Sequence, residues 1–207
     1  SKNPLSTEVF HDKLLDLLKA YFVVGGMPEV VLSYIEEGNV LNVRKVQEQI
    51  LAAYDQDFSK HAPIGVVPRI REIWDTLPAQ LAKENKRFFF RMIRQGARAK
   101  EYELAMLWLE DAGIISRVSR VNKPALPLSA YADATIFKLF LLDVGLLGAK
   151  SGLDPKVILN QNDIFMEYKG ALTEQFVYQE LKSANIRSFY YANDDSRGEI
   201  DFMVDIG

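Results

Sequence analysis

Residues 170–204, GALTEQFVYQELKSANIRSFYYANDDSRGEIDFMV, decide how the fold is read. The stretch opens as a helix: Phe176, Val177 and Leu181 follow a mixed 3.6-residue pattern. Glu174 falls in its expected first turn, where a carboxylate suits the positive end of the dipole. A β-rich run over 187–192 follows, then a turn over 193–198 made of residues that stabilise tight reversals. The strand expected over 199–204 alternates, with Glu199 and Asp201 on one face and Ile200 and Phe202 on the other. A helix carboxylate followed by a hairpin ending in E-I-D-F brings acids together as a divalent cation requires. Glu174 and Asp201 are therefore the candidate metal ligands and catalytic residues. The plainer reading is that Glu174 caps a helix and Asp201 ends a hairpin.

This stretch resembles the start of the restriction-endonuclease-like, PD-(D/E)xK-type nuclease core. That core carries an acid on its first helix, an Asp on its second strand and an E-x-K on its third. The resemblance puts Glu174 and Asp201 at the first two positions. The third would lie beyond Gly207, so the site expected in this chain alone is incomplete and inactive.

Composition narrows the rest. Of the 207 residues, 48% are hydrophobic and 26% charged, the balance of an ordinary globular protein, with length for one large domain or two or three small ones. The absence of cysteine excludes disulfides and thiolate metal sites and fits a cytoplasmic location. His11 and His61 are the only histidines, which leaves little for a zinc site or for histidine acid–base chemistry. A net charge of −3 gives no global attraction to nucleic acid, so such binding needs a local patch. No apolar run approaches the length of a membrane span, the longest, over 137–148, being broken by Lys138 and Asp143. The chain starts without Met and stops at a glycine just after an expected strand, which reads as a segment of a longer protein.

In chain order, 7–18 reads as an amphipathic helix with Val9, Phe10, Leu14, Leu17 and Leu18 as its stripe. Gly25-Gly26 stops its continuation and Pro28 starts the next helix. The phrase YFVVGGMPEVV lacks the spaced glycines and Gly-Lys-Ser/Thr ending of a phosphate loop, so it is a helix corner. A long helix spans 42–58, and another spans 68–77 with Ile70, Ile73, Trp74 and Leu77 inward. Residues 83–100 hold seven basic residues against one acid. If helical, they would align Lys83, Arg87, Arg91, Arg94 and Arg98 as a stripe for nucleic-acid phosphates, although Gly96 and the phenylalanine run oppose one unbroken helix. The alternative is a solvated face packed on acidic surface elsewhere. Residues 101–115 form the clearest helix, through Tyr102, Ala105, Met106, Leu109 and Ala112, with Gly113 as its stop. A strand over 114–121, a Pro-broken loop and a β-rich run from 137 complete a winged-helix outline. Asp143 is positioned to cap a short helix, and another short helix is expected over 154–160.

Several phrases share a wider resemblance: YFVVGGMPEVV, AYDQDFSK, ENKRFFFRMIRQGARAKEYELAMLWLEDAGII, PLSAYAD, FKLFLLDVGLL, and GALTEQFVYQEL with EIDFMV. In this order they are similar to the C-terminal, functionally uncharacterised region of prokaryotic AAA-type ATPases. The resemblance implies an upstream P-loop module in the same polypeptide, binding ATP and Mg there. No P-loop motif occurs in this chain, so no cofactor is expected in it. The family pattern also implies a later strand supplying the missing Glu and Lys.

The expected fold is α+β: a helical segment over 1–65, a winged-helix-like domain over 66–148 and an incomplete, restriction-endonuclease-like α/β end over 149–207. The expected function is a regulatory region of an AAA-type ATPase that contacts DNA or a partner protein, away from any membrane. The alternatives are a metal-dependent or degenerate nuclease completed beyond residue 207, and a non-catalytic interaction scaffold.

Overall fold

The computed structural model describes residues 4–82, 87–160, 163–193 and 198–205. Their order is α1 (Pro4–Val24), α2 (Pro28–Glu37), α3 (Val40–His61), α4 (Val67–Leu81), α5 (Ala99–Asp111), β1 (Ile115–Val121), β2 (Ala132–Leu141), α6 (Val144–Lys150), α7 (Pro155–Asn160), α8 (Asp163–Ser183), β3 (Ser188–Ala192) and β4 (Glu199–Val204). Among the described residues the chain is thus a mainly helical α+β protein with one four-stranded mixed sheet. No helix among them is long and apolar enough to cross a membrane. The chain divides into two compact units, Ser1–Ala52 with Asp143–Leu172, and Ala53–Leu142 with Thr173–Gly207. Helices α3 and α8 each contribute residues to both.

The first unit is built around the glycine corner. α1 ends where Gly25 turns left-handed at φ 72°, and α2 begins with Pro28, whose missing N–H costs nothing there. The buried amide of Gln47 on α3 donates to the Val23 carbonyl at 2.8 Å and the Val24 carbonyl at 3.1 Å, satisfying the end of α1. The end of α1 buries Phe22, Val23 and Val24, and α1 packs on α6 and α7. The helix forms as expected, but much of its apolar stripe is uncovered: Val9, Phe10, Leu14 and Leu17 are 70, 64, 50 and 58% exposed. Periodicity marks an apolar face but does not say what covers it.

The second unit holds the sheet, in the order β2-β1-β3-β4. β1 pairs antiparallel with β2, setting Val118 opposite Lys138, and parallel with β3. β3 and β4 close an antiparallel hairpin. α4 and α5 pack together as their spacing predicts: Ile70, Ile73, Trp74 and Leu77 are buried, as are Tyr102, Ala105, Met106 and Leu109. Each large apolar side chain so buried contributes about 1.5–3 kcal/mol. Gly113 ends α5 at φ 72°. β2 begins at Ala132, earlier than its β-rich run suggests. α8 lies on the sheet through Tyr178, stacked on Phe140 at 4.4 Å. Gln175 clasps Leu141, accepting from its N–H at 3.0 Å and donating to its carbonyl at 2.6 Å. That pair satisfies a backbone position that β2 would otherwise leave open.

The basic stretch is not one helix. Arg87 forms a β-bridge with Lys138, Phe90–Met92 is a single 3-10 turn, and Gly96 takes φ 79° before α5 begins. Three aromatic side chains, Phe88, Phe90 and Phe137, lock it in place, Phe88 stacking on Phe137 at 5.6 Å. Gln80 pins it further, donating to the Phe89 carbonyl at 2.9 Å and accepting from the Phe89 N–H at 3.1 Å.

Candidate functional site

Lys138 sits in the middle of β2 with a side chain only 1% exposed. A buried ammonium needs charge compensation, because burial alone drives it toward the neutral amine. Three carboxylates supply it. The Lys138 ammonium donates to Glu174 at 2.7 Å and to Asp201 at 3.0 Å, and forms a third ion pair with Glu199. The Tyr190 ring flanks the ammonium, with Nζ 4.9 Å from its centroid. Burial lowers the affinity of Lys138 for its proton, but Glu174 and then Glu199 outweigh it, holding the group well above the usual lysine range. Burial also pushes the Tyr190 phenol up to about 12, against the pull of Lys138, Arg87 and Arg120.

Glu174 and Asp201, the two acids the sequence singles out, therefore meet at one atom. Glu174 does so from another place than expected. α8 begins at Asp163, so Glu174 lies mid-helix, and a first-turn dipole plays no part in holding its charge. Its partner is an ammonium 36 residues away in sequence. Glu199 and Asp201, alternate residues of β4, reach the same cation, as one-face alternation requires. The cluster is graded: the Glu174 side chain is 4% exposed, Glu199 29% and Asp201 62%, so its outer end meets solvent.

The fit to a divalent ion fails as the side chains stand. Among the described residues no group of three or more His, Asp or Glu could hold a metal. The point on which Glu174 and Asp201 converge is filled by the Lys138 ammonium. As arranged, the site compensates a lysine, and no reaction step follows from a metal there.

The five basic candidates fare differently. Lys83 lies outside the described residues. Arg87 joins the sheet beside Lys138, its guanidinium 5.3 Å from the Phe89 ring. Arg91 covers the same ring at 5.1 Å from an exposed position. Arg94 is engaged within the protein, pairing with Glu101 at 2.5 Å and donating to the Tyr102 hydroxyl at 3.2 Å. Its Tyr102 hydrogen bond raises its proton affinity further. Tyr102 in turn donates to Glu72 at 2.5 Å, so Arg94 closes a chain of polar contacts. Arg98 is exposed at the start of α5. Among the described residues neither Arg91 nor Arg98 makes an ion pair.

In the sequence Lys138 stands only as an interruption of an apolar run, and no site role is expected for it. The available signal was the same fact seen otherwise: a single cation inside FKLFLL, on a strand apolar on both sides, must find anions.

No curated protein and no solved structure matches the chain. A family model described as a domain of unknown function (DUF8612) matches residues 15–157, a span that takes in Lys138 and the basic stretch but stops short of Glu174 and β4. That span is more than half of the chain, and the chain belongs to this family.

Proposed function

We propose that this chain is the regulatory region of a larger AAA-type ATPase and contacts nucleic acid through its second unit, ATP and Mg being bound by the upstream module. In this reading α5, β1 and β2 serve as a winged-helix-like element, and α8, β3 and β4 as a nuclease-like end in which Lys138 has replaced a metal. The observation that supports it is the anchoring of the basic stretch: the Arg87 bridge and the Gln80 clasp fix a backbone from which Arg91 and Arg98 remain exposed to solvent. Fixed cations lose little freedom on meeting phosphates, and their contacts give affinity without sequence preference. The test is duplex-DNA binding by fluorescence anisotropy across a salt series. Affinity should fall steeply with salt, and Arg91→Ala with Arg98→Ala should flatten the slope by about two. Binding that ignores both substitutions would overturn the proposal.

A second reading, the metal-dependent nuclease, draws on the convergence of Glu174 and Asp201 on one cationic atom. It requires a chain extended beyond Gly207 to cleave DNA with Mn²⁺ and to lose that activity on Asp201→Ala. Cleavage that survives the substitution would exclude this site. An interaction scaffold would show neither binding nor cleavage.

A further inference from the structure

The second unit carries a cavity of about 320 Å³ that neither reading above uses. It follows from the way β1 and β3 pair. Their parallel register holds Arg120 to Tyr190 and Val121 to Tyr191. Upstream of those pairs, β1 stays bound to β2 on its other edge, with Arg117 opposite Leu139 and Ser119 opposite Phe137. β3 starts only at Ser188, after α8 has ended and Asn185 has turned left-handed at φ 56°. The gap beside this short parallel pairing is lined by Arg117, Ser119, Lys182, Asn185, Arg187 and Ser188, among others.

None of the lining residues is acidic. Among the described residues the carboxylate paired with them is Glu110, which accepts from Arg117 Nε at 2.8 Å, so three cations against that acid leave an excess of two positive charges. Each cation is held in place: Arg117 by Glu110, Lys182 by the Ser116 hydroxyl at 2.8 Å, and Arg187 by the Phe189 ring at 5.0 Å. Among the described residues neither Lys182 nor Arg187 makes an ion pair. The hydroxyls of Ser119, Ser188 and Tyr178 and the Asn185 amide add neutral hydrogen-bonding groups at the same wall.

We propose that this cavity binds the terminal phosphate of a phosphomonoester. A phosphomonoester dianion matches the charge excess, and positioned guanidinium groups suit its planar pairs of oxygens. The volume exceeds what a phosphate group fills and lies at the lower end for organic ligands, roughly 300–1,000 Å³, so part of the attached sugar or base enters too. That chemistry is shared by a free mononucleotide and by the 5′ end of a nucleic-acid strand. The site does not depend on Arg91 or Arg98.

The test is calorimetric titration of the whole chain with 5′-AMP, and with one oligonucleotide carrying either a 5′-phosphate or a 5′-hydroxyl. Saturable 5′-AMP binding is expected, without competition from adenosine. Lys182→Ala with Arg187→Ala should weaken it at least about tenfold, since each removes a charge-assisted contact. Both residues are exposed, so the melting temperature should hold. Equal affinity for the two oligonucleotides identifies the free monoester as the ligand. A preference for the 5′-phosphate that disappears in the Lys182/Arg187 variant identifies the strand end. Failure of 5′-AMP to bind together with equal affinity for the two oligonucleotides, or 5′-AMP binding or a 5′-phosphate preference that survives the double substitution, overturns the proposal.

Discussion

Lys138 closes the second unit's sheet and Asp143, a few residues on, opens a helix of the first, and both side chains are nearly sealed from water. They are compensated in different ways. Asp143 caps α6, accepting from the Leu146 N–H at 2.8 Å, and its second oxygen accepts from the Gly26 N–H at 2.6 Å. These donors are peptide dipoles carrying partial charge. Burial therefore prevails and raises the Asp143 carboxyl above its ordinary 3.8, while the backbone bonds pull it back. Lys138 faces whole charges, and they prevail over burial. The difference shows that dipoles soften the cost of a buried ion, whereas opposite charges reverse its sign.

The largest test of that contrast removes the cation. Lys138→Met should cost about 3–5 kcal/mol in denaturant unfolding, because the buried Glu174 carboxylate loses the ammonium that balances its charge. Adding Glu174→Leu should recover much of the loss, since an apolar pair of similar volume replaces a broken ion pair. A single-variant cost near zero would mean that the cluster is held by solvent, not by charge.

Asp143→Ala should cost less, about 2 kcal/mol, from the lost cap and the stranded Gly26 N–H. Gly25 sharpens this test. A Cβ there would lie 2.2 Å from the Asp143 carboxylate, on a backbone already left-handed. Gly25→Ala should therefore be more harmful with Asp143 present than with Asp143→Ala. That coupling is read from a double-mutant cycle. Additive effects would show that the corner does not depend on the carboxylate.

The smallest effect is in pH. Both groups bind their protons more tightly folded than unfolded, so each contribution declines as pH rises, in separate windows. For Asp143 the loss runs upward from 3.8 through its raised folded value. For Lys138 the stabilisation is complete below 10.5 and is lost as pH climbs through its higher folded value. Alkaline titration of stability should show a decline of about 1 kcal/mol per pH unit that Lys138→Met abolishes. An unchanged alkaline limb would assign the decline to other groups.

What could be read from the sequence follows from the range of each interaction. The inward faces of α4 and α5, the stops at Gly25 and Gly113 and the Asp143 cap rest on neighbours within a few residues, and all were legible. The start of α8 was not. Its halves belong to different units, and its apolar residues keep to no single stripe. The exposed stripe of α1 erred the other way, since an apolar face shows where burial is possible without naming its cover.

At the candidate site, local pattern alone places Glu174 and Asp201 on elements able to present carboxylates, and puts Glu199 on the same strand face as Asp201. What they face is set by long-range packing. Lys138 is 36 residues from Glu174 and 63 from Asp201, separations at which no local periodicity carries information. The cavity between β1 and β3 has the same origin, because parallel strands are joined by long connections and their splay is set by packing. Helix faces, stops and caps are written in near neighbours; the compensation of a buried charge is settled where distant strands meet.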